Sequence, residues 1–248
     1  LGTGADVTNP AALRQVHLTL NLFGLVGLVV AATLPFFSAT QVRSKMSPRA
    51  TPRTMRAVFA SLAAATAVSA AGQLASRPVV AAVGLGAYAV GLIAIAAMLP
   101  IYTRRGLSWA GPRVVQMGAG LAWWIAMTAA LAVADATGTD AWFLLRALVI
   151  GGFAQILVAS LAYLGPVLRG GGHRRLSAGF AVTRSWISVV VGNVAAIAAL
   201  MGRGEVLVAA LVVWLIDVVV RALRLVVSPR SNGSTTITDD RTDAQETL

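Results

Sequence analysis

Seven stretches between residues 14 and 227 stay apolar for about the twenty residues that a helix needs to cross roughly 30 Å of hydrocarbon. They run over about 14–38, 55–75, 78–102, 113–134, 142–168, 179–201 and 205–227. Lipid offers the backbone no hydrogen-bond partners, so each stretch must be a helix that satisfies its own peptide groups. The expected fold is all-α, a polytopic membrane bundle of seven transmembrane helices. Composition agrees: 57% of the 248 residues are hydrophobic and 12% charged, against about 25% charged in a soluble domain. The chain has no cysteine, which excludes disulfides, thiolate metal sites and cysteine nucleophiles.

Basic residues set the expected orientation. Sixteen of the 20 Lys and Arg residues fall in the segments after spans one, three and five, at the adjoining ends of spans two, four, six and seven, or in the tail. Arg14, Arg77, Arg146 and Arg203 are the four on the other side. Positive charge stays cytoplasmic, so the N-terminus is expected outside, the C-terminus inside, and the protein as multi-pass in the plasma membrane. The net charge of +11 is spread over short juxtamembrane loops, which suits a lipid bilayer with anionic headgroups as the partner and argues against nucleic acid. Residues 1–13 are expected as an outer segment with a trimmed start, since Leu1 opens a stretch that lacks the basic region of a signal peptide. Residues 228–248, small, polar and acidic toward the end, are expected as a disordered cytoplasmic tail.

Prolines suggest an internal repeat. Pro35, Pro100 and Pro166 stand at the inner ends of the odd-numbered spans, 65 and 66 residues apart, and Arg14, Arg77 and Arg146 recur near the outer starts of the same spans. The unit would be a helical hairpin repeated three times in one orientation, with span seven added. Prolines common near membrane-helix ends would give the same pattern without a repeat.

Polar side chains inside a membrane are costly and are the functional candidates. His17 and Asn21 lie one turn apart near the outer start of span one and are expected to face the bundle interior. An imidazole there could bind heme or copper, with Asn21 orienting it, or could be an interfacial hydrogen-bonding residue. Gln155 and Asn193 sit near mid-membrane, where an amide bonding across helices, or a polar path, would explain them. Asp217 lies about 18 Å below Glu205 along span seven. Arg221 follows at i+4, to pair with Asp217 or to snorkel to the inner headgroups. Six tryptophans read as interface anchors or packing residues, although Trp123 and Trp124 lie deeper than an aromatic belt requires. The single lysine, Lys45, is in a loop, which excludes a retinal Schiff base within a span. "RGGGHRR" reads as a flexible turn.

The segments "VHLTLNLFGLVGLVVAATLPFF" and "GGFAQILVASLAYLGPVLRGGGHRR" resemble the membrane region attached to actinobacterial copper oxidase and copper nitrite reductase-like proteins, itself distantly similar to heme-copper oxidase subunit I. That resemblance implies an integral membrane subunit or anchor associated with a copper-dependent redox enzyme. It further implies a cupredoxin-type copper oxidase as partner, with electron transfer or heme or copper binding at His17. The alternative is a permease or lipid-handling protein with Gln155, Asn193 and Asp217 along a polar path.

Overall fold

In the computed structural model, which describes residues 9–170 and 172–227 (side chains excepted at 172–175), every regular element is a helix. Six helices are long and apolar enough to cross a membrane, or seven spans if one bent pair is counted as a span. The protein is a multi-pass membrane helical bundle. The helices are α1 (Pro10–Gln41), α2 (Pro52–Leu74), α3 (Pro78–Ala97), a short α4 (Arg104–Ala110), α5 (Pro112–Thr137), α6 (Trp142–Arg169), α7 (Gly172–Val182), α8 (Trp186–Leu200) and α9 (Gly204–Val227).

Local chemistry fixes the starts. Proline opens α1, α2, α3 and α5, where its missing N–H is not needed. Asn9 Oδ1 accepts from the Ala11 and Ala12 amides, Thr51 Oγ1 from Thr54, Thr103 Oγ1 from Gly106 and Ser185 Oγ from Ser188. These caps satisfy amides that have no partner within the helix.

Three expectations are corrected. Span six is not one helix: α7 and α8 meet at a 43° bend across residues 183–185. The glycine-rich turn is shorter than expected, because after Gly170 (φ +65°) helix resumes at Gly172. The three prolines also differ in setting, since Pro35 and Pro166 lie inside helices whereas Pro100 follows the end of α3. The tail expected to be disordered, residues 1–8 and the His173 side chain lie outside the described residues.

Helix α5 is the hub, packing against α3, α6, α8 and α1. The closest pair is α2 with α3. A Cβ at Gly84 would stand 2.4 Å from the Ser69 amide nitrogen, and one at Gly72 equally close to Ala81 nitrogen. Small residues thus let these two backbones touch, the form of packing that lipid, lacking a hydrophobic drive between helices, rewards. Helix α9 is peripheral, contacting α8, α6 and α7. It buries Ala210, Trp214 and Arg221 on one stripe.

Helices α1 and α6 each contain a π-helical segment, Leu20–Val26 and Leu148–Ala154. A π segment widens the helix and breaks the i→i−4 ladder. In α1 the Phe23 carbonyl accepts from the Tyr88 hydroxyl at 3.0 Å. An aromatic series joins the two segments through α3 and α5: Phe23–Tyr88, Tyr88–Trp124 and Trp124–Phe153, with centroids 5.1, 6.1 and 4.9 Å apart. Gly27 allows this approach, since a Cβ there would lie 2.3 Å from the Tyr88 oxygen. Trp124 is therefore the fully buried centre of the core and not an interface anchor.

Candidate functional site

The bundle has an arginine-poor end, formed by the N-terminus of α1 and the α2–α3, α5–α6 and α8–α9 turns, and an arginine-rich end opposite. Polar side chains gather at both ends and in two clusters between them.

At the arginine-poor end Asn21 Nδ2 donates to the His17 carbonyl at 2.8 Å and lies 3.1 Å from His17 Nε2. The i,i+4 pairing is as expected but the facing is not. His17 is exposed and Asn21 half-buried. The inward face of α1 at this level belongs to Thr19 and Phe23, both buried. His17 is two residues from Thr19, about 200° around the helix, and so turns outward. The side chains as arranged do not fit a heme or copper on His17. The Asn21 amide can only donate, so in this arrangement it occupies the Nε2 lone pair whenever the ring proton is on Nδ1. Among the described residues no group of three His, Asp or Glu side chains could hold a metal ion.

On the inward face of α1, turned away from this pair, lies a cavity of about 510 Å³ whose polar lining includes Gln15, Thr19, Gln73 and Asp135 and whose apolar lining includes Phe23 and Leu131. Thr19 Oγ1 donates to Gln73 Oε1 at 2.8 Å, joining α1 to α2. Asp135 Oδ2 is buried without a hydrogen-bond partner. Asp140 is spent locally, accepting from the Trp142 amide at 3.0 Å. The sequence hid this cavity because Thr19, Gln73 and Asp135 come from three distant spans.

Gln155 and Asn193 do meet. Asn193 Nδ2 donates to Gln155 Oε1 at 3.4 Å and to the Val189 carbonyl at 2.8 Å, while its Oδ1 accepts from Trp123 Nε1 at 2.8 Å. Trp123 is thereby a cross-helix donor, which explains its depth. Gln155 is fully buried and its Nε2 has no partner.

Asp217 and Arg221 form a separate cluster around Ser188. They pair at 2.8 Å without hydrogen-bond alignment. Asp217 Oδ1 accepts from the Ser185 hydroxyl at 2.9 Å. Arg221 does not snorkel: it is 8% exposed and donates to the Thr183 carbonyl and to Ser188 Oγ, at 3.0 and 3.1 Å. Gln116 Nε2 and Trp214 Nε1 also reach Ser188 Oγ, at 3.1 and 2.7 Å. The spacing of Trp214, Asp217 and Arg221, three and then four residues on one helix face, was the available signal for this cluster; Ser188 carried none. The two clusters adjoin at Gly192, where a Cβ would lie 3.2 Å from both Gln155 Oε1 and Trp214 Cζ2. Chemically they cross-brace α5, α6, α8 and α9 with bonds between side chains and spend most of their polar atoms doing so.

Comparison with protein-family models, curated proteins and solved structures finds no match in any of the three.

Proposed function

We propose that this chain is an integral membrane anchor or subunit of a copper-dependent redox enzyme. The copper centre belongs to a cupredoxin-type partner seated over the arginine-poor end. The chain lies N-out, C-in in the plasma membrane, so that this end is outside. The observation that carries the reading is the outer cavity, an amphipathic recess on the inward face of α1, with the exposed His17 on the outward face of the same turn. The resemblance of the segments over residues 16–37 and 151–175 to membrane regions of copper oxidases supplies the partner class. The alternative, a permease with a polar path, is less favoured because Gln155, Asn193 and Asp217 are bonded to other side chains of the chain itself. Three repeated hairpins, α1–α2, α3–α5 and α6–α8, remain part of the proposal. The members of each pair are in contact, and the first and third begin with a π-containing helix.

A photocross-linking residue at position 140 in native membranes tests the reading: the adduct should contain copper, whereas the purified chain alone should have no visible absorbance. A copper-free adduct overturns it. Orientation is tested with single cysteines at positions 45 and 139 in this cysteine-free chain, of which an impermeant reagent added outside should label position 139 only.

A further inference from the structure

At the arginine-rich end, the C-terminus of α1, helix α4 and the α7–α8 bend enclose a cleft of about 700 Å³ whose charged lining is Arg43, Arg105 and Arg184. Thr103, Ser108 and Trp109 complete its polar and aromatic wall. Arg43 Cζ lies over the Trp109 ring, 3.3 Å from its centroid. Arg184 donates to the Trp109 carbonyl and runs along Gly111. Two residues beyond Gly111 is Arg113, 1% exposed, whose Nε donates to the Ala110 carbonyl at 3.2 Å. Its Nη1 and Nη2 are buried with no hydrogen-bond acceptor. Arg113 stacks on Phe180, 4.5 Å from the centroid, and Phe180 in turn packs against Trp109. Arg184 and Arg113 repel each other.

No carboxylate of the described residues pairs with any of these four arginines. Four guanidinium groups around one turn, one of them buried with both Nη atoms unpaired, leave a strong uncompensated positive potential at the membrane face. Guanidinium groups match phosphate oxygens in charge and geometry, and basic recesses between membrane helices suit anionic headgroups.

We propose that this cleft binds the phosphate of an anionic lipid headgroup, with Arg43, Arg105 and Arg184 as donors and Arg113 as the buried charge behind them. The acyl chains would lie along the exposed apolar surface of the neighbouring spans.

The test uses the full chain, delipidated in neutral detergent and titrated with phosphatidylglycerol, phosphatidylcholine or inorganic phosphate, with bound molecules counted by native mass spectrometry. One phosphatidylglycerol should bind in preference to phosphatidylcholine. The triple variant Arg43→Gln, Arg105→Gln, Arg184→Gln should weaken that binding roughly ten-fold or more, while a control of equal charge loss, Lys45→Gln, Arg49→Gln, Arg53→Gln, should leave it unchanged. Thermal melts of both variants confirm that they fold. Equal loss in the control overturns the site, and so does a wild type with no preference for phosphatidylglycerol. Inorganic phosphate binding without lipid retention overturns the lipid source. If phosphatidylglycerol binds only after Asp239, Asp240, Asp243 and Glu246 are changed to Asn or Gln, the chain's own acidic tail is the occupant and the proposal falls.

Discussion

At the arginine-poor end, Thr19 and Gln73 meet side chain to side chain across two helices, beside a cavity with one unpartnered carboxylate, Asp135. At the arginine-rich end the arginines are answered instead by aromatic faces, Trp109 under Arg43 and Phe180 under Arg113. A neutral pair braces the cavity at one end, where Arg146 also lies over Trp142, and cation–aromatic stacks line the cleft at the other. In the first, the Thr19 hydroxyl finds its acceptor within the chain. The second satisfies the rings but leaves guanidinium hydrogens without oxygen partners, so it calls for something from outside. Between the ends, Arg221 shows what a fully answered arginine looks like in this bundle: a carboxylate, a carbonyl and a hydroxyl around one guanidinium.

That contrast can be broken by substitution. The largest effect is expected from Arg221→Leu, which leaves the half-buried Asp217 without its counter-ion and removes three further bonds; a loss of about 3–5 kcal/mol should appear in reversible unfolding in detergent. Arg113→Met should move stability the other way in lipid-free detergent, by about 1 kcal/mol, since a buried charge without a counter-ion is removed and what is lost is its aromatic stacking and the bond to the Ala110 carbonyl. Destabilisation there as large as that of Arg221→Leu would mean that the two arginines are equivalent and the contrast is false. At the opposite end, Gln73→Leu leaves the Thr19 hydroxyl without its acceptor and should cost about 1 kcal/mol, with no dependence on added anionic lipid.

The smallest effect concerns Tyr102, in the loop after α3, whose hydroxyl lies 2.7 Å from Ser38 Oγ. Burial pushes this phenol up from its ordinary value near 10, partly offset by the Ser38 hydrogen bond. The folded state therefore holds the proton more tightly than the unfolded chain. Stability from this group is fully present below about pH 10 and is lost as pH rises toward the folded value. Unfolding measured from pH 8 to 11 should show a shallower alkaline decline in Tyr102→Phe than in the wild type; an unchanged slope would remove Tyr102 from the account.

Helix placement was largely legible, because apolar runs of membrane length are bounded by Pro10, Pro52, Pro78 and Pro112 and by the Asn9, Thr51 and Ser185 caps. The π segments were not, since residues such as Leu20–Val26 have the same apolar character in an α-helix; what meets them, Tyr88 at the Phe23 carbonyl and Trp124 at Phe153, comes from other spans. His17 illustrates the same limit at a candidate site. An i,i+4 spacing shows that two side chains are neighbours but not which way the pair turns, and only the contacts of Thr19 and Phe23 decide that. Ser188 gathers Gln116, Trp214 and Arg221 from positions 26 to 72 residues away, beyond the reach of any local pattern.

The self-paired stripe of α9 bears on how the protein is made. A lone Asp or Arg at the centre of a membrane helix costs about 2.5–3.5 kcal/mol to insert. Asp217 and Arg221 sit one turn apart on the same helix, so their charges cancel before any other span is met. Helix α9 can therefore enter the bilayer as a neutral unit and dock afterwards, when Ser188, Ser185 and the Thr183 carbonyl replace whatever water accompanied the pair. Insertion and docking of α9 become separate events, and the polar face that would oppose the first is what directs the second.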